Sequence, residues 1–295
     1  MTSSRFFVAL VGLAVVAGCG GAHAPAETPK THDLDARLQR LELQFVKYAE
    51  ALDFLAKVYE QQKAQQAQQE REEPAPDAVF AVDIAQDVQL GQVDGPATAP
   101  VTIVKCFDFA CPYCQRTAST MDELVKEYGG KVRVVYKNLV VHPEIATQAH
   151  LASCAAAKQG KYLAFKAAVW TQGFLPYAAA RDPSKLGKDN LLAIAKDVGL
   201  DLKKLQADWN GAECAAVLAN DMKELEKFHV DATPTFFING IHIGGALDKQ
   251  SFKELIDERL KVVEASGVPG AEYYAKEVMG KGEKQFRSKA DPKPH

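Results

Sequence analysis

The chain has 295 residues, 47% of them hydrophobic, which is enough to bury the core of one or two domains. Its formal net charge of −3 argues against charge-driven binding to nucleic acid or to a membrane surface. Six cysteines are too few for a disulfide scaffold at this length, so each cysteine has to be considered by its position.

The N-terminal residues 1–18 have the pattern of an export signal. A basic residue precedes an apolar run over residues 6–17, which would span about 18 Å as a helix and is too short for a bilayer core. The Val-Ala-Gly-Cys sequence that ends at Cys19 resembles a bacterial lipobox, which predicts that Cys19 is lipidated. Gly20 after it is similar to outer-membrane sorting signals. Cleavage after Ala24 is the alternative, although a proline would then follow the cut.

Residues 34–70 are predicted to form one long helix that mediates self-association. Apolar residues recur at alternating spacings of four and three, as in a coiled-coil seam: Leu34, Leu38, Leu41, Phe45, Tyr48, Leu52, Leu55 and Tyr59. The alternative is an amphipathic helix that folds against its own C-terminal domain, because nearby alanines widen the apolar face. Residues 20–33, rich in Ala, Pro and Gly, indicate a tether, and the prolines within residues 71–84 indicate a linker.

The rest of the chain alternates between strand and helix patterns. Two β-rich runs flank a helix, a long stretch with almost no strand signal predicts four or five helices, and a hairpin and a last helix follow. In chain order these are residues 101–107, 121–128, 131–141, 144–228, 235–243 and 249–264. This order predicts an α/β domain over residues 85–265, and residues 266–295 are predicted to form a short helix and a frayed basic tail.

Cys111-Pro112-Tyr113-Cys114 lies where the first strand gives way to a helix. Free amides and the dipole at a helix N-terminus favour a thiolate at Cys111, and Pro112 suits the first helical turn. A thiolate there can attack a disulfide, and Cys114, one turn later, can resolve the mixed disulfide. The alternative is half of a zinc site, but the sequence offers no second pair of suitable ligands.

The Cys111–Cys114 segment, with Phe107-Asp108-Phe109-Ala110 before it and Ala232-Thr233-Pro234-Thr235 far downstream, resembles the DsbA-like (Thioredoxin_4) family of bacterial disulfide oxidoreductases. The resemblance covers residues 85–262. It implies a thioredoxin fold with an inserted all-helical subdomain, here preceded by the long N-terminal helix. It also implies dithiol–disulfide exchange without any cofactor or metal.

The resemblance assigns further residues. Pro234 is expected to be cis and to face the cysteine pair, with Thr233 offering backbone groups to an extended substrate. Threonine before this proline is similar to isomerases and reductases, whereas the strongest oxidase has valine. Lys105 departs from the family, which commonly has a proton-carrying carboxylate there. Lys105 is expected either to lower the pKa of a thiolate or to extend its amine to the surface.

Cys154 and Cys214 both fall in the helical block. By resemblance to relatives with a second, non-catalytic disulfide, they are expected to pair, and two buried free cysteines are the alternative. Cys106, inside the first strand, is expected to be a buried spectator, although three spare cysteines permit other pairs.

Together these features predict a thiol–disulfide oxidoreductase that faces the periplasm and is attached to the cell envelope only by its lipid. Its expected partners are exported cysteine-containing proteins, a membrane redox partner and further copies of itself, with no nucleic acid. The self-association helix favours isomerase over oxidase activity, because periplasmic isomerases and reductases are commonly oligomeric. The alternative is a lipid-anchored peptide-binding or scaffold protein that uses the same fold without redox turnover.

Overall fold

The computed structural model describes residues 31–293, so Cys19, the signal segment and most of the tether lie outside the described residues. The chain divides into two compact units between Ala64 and Gln65. Helix α1, Thr31–Glu72, contributes residues to both units. None of the helices within residues 31–293 has the length and hydropathy needed to cross a membrane.

The described part of the first unit is the α1 helix up to Ala64. The eight seam residues, Leu34 to Tyr59, have between 46% and 69% of their surface exposed. Leu43, Val46 and Phe54 are exposed as well. Long apolar side chains therefore line a solvent-facing helix, and self-association through them stays a prediction.

The second unit is built on a five-stranded sheet with the order β1-β3-β2-β4-β5. Its strands are β1 Val93–Asp94, β2 Val101–Phe107, β3 Val132–Asn138, β4 Thr235–Ile238 and β5 Ile241–Gly244. β2 and β3 are parallel, and the other neighbouring pairs are antiparallel. Every residue of β2 and β3 is buried, as expected for β-branched strands covered on both faces. The short β1 was not predicted from the sequence.

The helices of this unit surround the sheet. They are α2 Ala85–Gln89, α3 Pro112–Glu127, α4 Pro143–Ala157, α5 Tyr162–Ala168, α6 Leu175–Ala180, α7 Lys188–Asp197, α8 Leu202–Trp209, α9 Ala212–Glu226, α10 Lys249–Ser266 and α11 Gly270–Tyr273. π-Helical turns follow α5 at Val169–Phe174 and α11 at Tyr274–Met279, and a 3₁₀ turn spans Pro183–Leu186. The block between β3 and β4 thus has six α-helices, α4–α9, where four or five were expected.

Two cores cover the two faces of the sheet. On one face, Ile103 and Tyr136 pack with α3, α10 and the helical block. On the other face, Val104, Val135 and Phe237 pack with Phe80 and with the C-terminal helical residues. Since side chains alternate along a strand, Lys105 lies on the same face as Ile103 and in register with Tyr136.

The segment predicted to be a linker packs against the domain. α1 continues to Glu72, and Ala78, Phe80 and Val82 are buried. The Phe80 amide donates to the Gly240 carbonyl over 2.8 Å. The alternation of apolar residues after the prolines carries this segment into the core, and the prolines hid that signal.

The C-terminal tail is also ordered, where a frayed basic tail was expected. The Phe286 ring stacks on Phe80 with centroids 6.2 Å apart. The Arg287 carbonyl accepts from the Ala75 amide over 3.0 Å, and the Lys289 amide donates to the Glu73 carbonyl over 2.8 Å. The tail is therefore fastened to the residues that follow α1.

Candidate active site

The cysteine pair begins helix α3. Cys111 precedes the first helical residue with extended backbone angles, φ −85° and ψ 119°, and Pro112 occupies the first turn. The turn after β2 is held by Asp108, whose Oδ1 accepts from the Ala110 amide over 2.6 Å. Cys111 and Cys114 are both free thiols and both buried. This geometry presents the Cys111 sulfur to the unpaired amides of the helix start.

The two thiols differ sharply in acidity. A hydrogen bond from Cys114 lowers the pKa of Cys111 to about 5, and the Thr233 side chain and the amides of Tyr113 and Cys114 act in the same direction against burial. Burial and the hydrogen bond to Cys111 raise the pKa of Cys114. Cys111 is therefore a thiolate at neutral pH and Cys114 a thiol, which is the arrangement of a nucleophile and a resolving cysteine.

The loop before β4 faces the cysteine pair. The Thr233–Pro234 peptide bond is cis. Because β4 runs antiparallel to β2, with Thr235 opposite Cys106, the start of β4 lies beside the end of β2. The Thr233 carbonyl oxygen lies 3.3 Å from Cys111 Sγ. The two motifs that are far apart in the sequence thus meet at one edge of the sheet.

Lys105 is enclosed beneath the cysteine pair, and 1% of its surface is exposed. Its Nζ donates to the Cys114 carbonyl oxygen over 3.1 Å and lies 5.9 Å from the Phe236 ring centroid. The expectation that its amine extends to the surface is wrong, because β3 and β4 enclose the strand. Burial lowers the pKa of Lys105 to about 7, so the amine can both take up and release a proton near neutral pH.

His150 is a buried residue of this site that the sequence did not indicate. Its Nε2 accepts from the Phe109 amide over 3.3 Å, in the turn that leads to Cys111. Because Nε2 accepts, Nδ1 carries the hydrogen and donates to Asn138 Oδ1 over 2.8 Å. Burial lowers the pKa of His150 to about 4, so the ring is neutral. His150 therefore ties the active-site turn to β3.

A buried ionic cluster extends this chain of hydrogen bonds. Lys137 Nζ lies 2.7 Å from Asp87 Oδ2 and 2.8 Å from Asp221 Oδ1. Asp221 Oδ2 also accepts from the Asn138 side chain over 2.6 Å and from its amide over 3.0 Å. Burial and the charge of Asp221 raise the pKa of Asp87 to about 8. Consecutive polar residues at the end of an apolar strand were the only sequence signal for this cluster.

Residues 31–293 contain three further cysteines. Cys154 on α4 and Cys214 on α9 form a disulfide with Cα atoms 5.7 Å apart. Cys106 is a free, buried thiol whose pKa is raised by burial. Residues 31–293 contain no group of three His, Cys, Asp or Glu side chains arranged to hold a metal.

Comparison with known proteins adds relatives of two kinds. An alignment of 183 residues with the Na⁺/H⁺ antiporter NhaA of Herminiimonas arsenicoxydans has 27% identity. It covers 62% of this chain and 28% of the antiporter. The chain spans about a quarter of the length of the curated relatives that it matches.

Two solved structures share the fold. Oxidised BdbD of Bacillus subtilis is 21% identical, with 64% of this chain and 99% of that one covered and a TM-score of 0.51. The thiol-disulfide exchange protein alpha-DsbA2 of Wolbachia pipientis is 19% identical, with 59% and 89% covered and a TM-score of 0.50.

The sequence family described as Thioredoxin, Thioredoxin_4, matches residues 87–258, which is more than half of the chain. The match includes the cysteine pair and the cis-proline loop. The chain therefore belongs to the Thioredoxin_4 family and has its DsbA-like thioredoxin fold.

Proposed function

We propose that the protein is a thiol–disulfide oxidoreductase that exchanges disulfides with exported proteins through Cys111 and Cys114. The observation that supports this most directly is the Cys111 sulfur at the start of α3, with its pKa lowered to about 5 and the cis-proline loop 3.3 Å away. A thiolate at that position is the attacking group in thiol–disulfide exchange.

The exchange balances without a cofactor. The Cys111 thiolate attacks one sulfur of a substrate disulfide, a mixed disulfide forms, and the other substrate sulfur leaves as a thiolate. Cys114 then loses its proton and attacks Cys111 Sγ, which releases the second substrate thiolate. The substrate gains two electrons and the enzyme holds a disulfide. In the reverse direction the same steps oxidise a substrate dithiol.

Lys105 is suited to the proton step of Cys114. Its amine is buried beside Cys114 and has a pKa of about 7. Neutral Lys105 can accept the proton of the Cys114 thiol, and the ammonium form can return it when Cys114 leaves as a thiolate. Lysine thereby takes the place of the carboxylate that the family commonly has.

The export signal in residues 1–18 and Cys19 support a periplasm-facing lipoprotein, with preference for the outer membrane. The compartment would be oxidising, and substrates would be exported proteins with cysteines. A membrane redox partner would reset the Cys111–Cys114 pair after each turnover.

Trapping of mixed disulfides tests the proposed chemistry. Cys114→Ser keeps the nucleophile but cannot resolve, so it should accumulate mixed disulfides with exported proteins in cells. Cys111→Ser, the matched control, should trap none. If neither variant forms mixed disulfides in cells, the result would support the alternative of a redox-inactive scaffold.

The exposed apolar face of α1 supports self-association through the seam. Replacement of Leu38, Phe45 and Leu52 by charged residues should turn an oligomer into a monomer, as measured by light scattering.

Reactivation of scrambled ribonuclease should fall in the same variant if the protein is an isomerase, because several active sites would no longer surround one substrate. The matched control carries the same charges at the exposed, neutral, non-seam positions Gln39, Gln44 and Gln61. Full isomerase activity in a proven monomer would remove this role of the helix.

A further inference from the structure

The enclosed position of Lys105 leaves open how its proton reaches water. Its side chain is buried between β3, β4 and α3, and its one hydrogen bond goes to the Cys114 carbonyl. With a pKa of about 7, Lys105 is charged in part of the molecules at neutral pH, and there it must pass its proton to solvent before it can accept the proton of Cys114. A second buried amine on the same face of the sheet offers the route.

That second amine belongs to Lys166 on α5. Its side chain is 3% exposed, and Nζ makes no hydrogen bond with any residue in the described part of the chain. Nζ lies 3.6 Å from the Tyr136 ring centroid. Tyr136 is the β3 residue in register with Lys105, so this one residue neighbours both lysines. A buried amine with one long ion pair, 3.5 Å to Asp122, and no hydrogen bond is costly, which makes it a candidate for a functional role.

Two further polar atoms surround this position. The Tyr136 and Tyr162 hydroxyls are buried and unbonded within residues 31–293, and their rings are 5.8 Å apart. Burial and the nearby Asp122 carboxylate raise the pKa of Tyr136, so its hydroxyl stays protonated. A tyrosine hydroxyl can both donate and accept, so these two tyrosines add groups that can take part in proton transfer beside Lys166.

The outer end of the route is Asp122 on α3. Its Oδ1 lies 3.5 Å from Lys166 Nζ, and 41% of its side chain is exposed. Cys114 lies on the same helix, so one element carries both the proton source and its outlet. We propose that Lys166 and Asp122 form the path by which the proton exchanged between Cys114 and Lys105 passes to and from solvent.

The charges that face the two amines are compatible with transfer. Burial lowers the pKa of Lys166 to about 8, so both amines change charge near neutral pH. The titratable groups around them are Cys111 just before α3, Cys114 and Asp122 on α3, Asp94 on β1, and Tyr136 on β3. The like charges of the two amines also oppose each other, which favours moving a proton outward once Lys105 has taken it up.

This inference rests on the proposed function, and one kinetic experiment separates the two. The reduced full-length protein is mixed with an aromatic disulfide whose released thiolate is coloured. The first coloured phase reports attack by Cys111, and the second reports resolution by Cys114. Absence of the first phase in the wild-type protein would refute the proposed function, whatever the outlet does.

Asp122→Asn is the decisive variant, because the two explanations predict opposite results. Loss of a nearby anion lowers the pKa of Lys105, so electrostatics alone would leave the second phase unchanged or faster. Loss of the outlet should slow the second phase about a hundredfold, the lower limit for removing a proton-transfer group. The first phase should be unaffected.

Three additions complete the test. A small imidazole buffer at high concentration should restore the second phase, since it can carry protons in place of the exposed carboxylate. Glu123→Gln is the matched control, because Glu123 is an exposed neighbour that pairs with Lys249 instead. Lys166→Met should slow the same phase. An unchanged second phase in Asp122→Asn, or slowing that buffer does not restore, would overturn the proposal.

Discussion

Cys111 Sγ lies 3.3 Å from the Thr233 carbonyl oxygen, so the nucleophile and the cis-proline loop are in direct contact. That carbonyl accepts a hydrogen bond only from the protonated thiol and therefore opposes the thiolate. The donors around the sulfur, led by the Cys114 thiol, outweigh it and lower the pKa of Cys111. The acidity of Cys111 thus depends on groups that substitution can remove one at a time.

The first prediction concerns the Cys114 donor. Cys114→Ala removes the hydrogen bond to Cys111, so the pKa of Cys111 should rise from about 5 toward its ordinary value of 9.0. Cys114→Ser keeps a donor and should shift it less. The pH dependence of Cys111 alkylation, followed by mass spectrometry, measures both. Equal pKa values in the two variants would show that the helix amides dominate.

The same pKa has a consequence for stability. Because the folded state favours the Cys111 thiolate, the free energy of unfolding of the reduced protein should rise with pH from about 5 to about 9. The gain is complete above the unfolded pKa and is lost as the pH falls through the folded value. Denaturant unfolding at several pH values gives this free energy for the reduced wild-type protein and for Cys111→Ser. The rise of the free energy with pH should be smaller in the variant.

His150 should make the free energy of unfolding depend on pH below its ordinary pKa of 6.5. Its folded pKa of about 4 lies below the ordinary 6.5, so stability is full above 6.5 and falls as the unfolded chain takes up a proton. Between pH 7 and pH 5 this should cost about 2 kcal/mol. In the oxidised His150→Gln protein, the free energy of unfolding measured with denaturant should not show this fall between pH 7 and pH 5. A slope identical to that of the wild-type protein would contradict the neutral, buried ring.

Asp87 and Asp221 should respond differently to the same change. With its pKa raised to about 8, Asp87 is protonated at neutral pH and binds only Lys137, so Asp87→Asn should be nearly neutral. Asp221 accepts from Lys137 and twice from Asn138. Asp221→Asn should cost about 2 kcal/mol, because it removes a carboxylate that two Asn138 donors need, while Asp87 can then ionise beside Lys137. Denaturant unfolding measures each, and each variant is the control for the other.

The Cys154–Cys214 disulfide should stabilise the helical block without serving catalysis. It closes a loop with a sequence separation of 60 residues, worth about 4 kcal/mol in the chain-entropy account. Cys154→Ser with Cys214→Ser should lower the free energy of unfolding by about that amount. The measurement is best made in a Cys111→Ser, Cys114→Ser background, where no second disulfide forms. Attack by Cys111 should be retained when only the Cys154–Cys214 pair is replaced.

The parts of the site that could be predicted from the sequence are those encoded by short motifs of neighbouring residues. The cysteine pair with Pro112, and the Thr233–Pro234 loop before a hairpin, each carry their geometry in neighbouring residues. His150 and Asp221 have no such signal, because their roles come from packing of α4 and α9 against the end of β3. Lys105 shows the same limit, since its position was visible but its burial depended on strands that come later in the chain.

The C-terminal tail bears on how the protein transmits mechanical load. Hydrogen bonds join Lys289 to Glu73 and Ala290 to Glu70, so the last turn of α1 is bound to the far end of the chain. A pull applied through α1 would first reach these bonds and the Phe286–Phe80 stack, and only then the sheet. Residues 283–290 are therefore among the first contacts expected to bear such a pull. Removing them should loosen the attachment of α1 long before it disturbs the strands that hold Cys111.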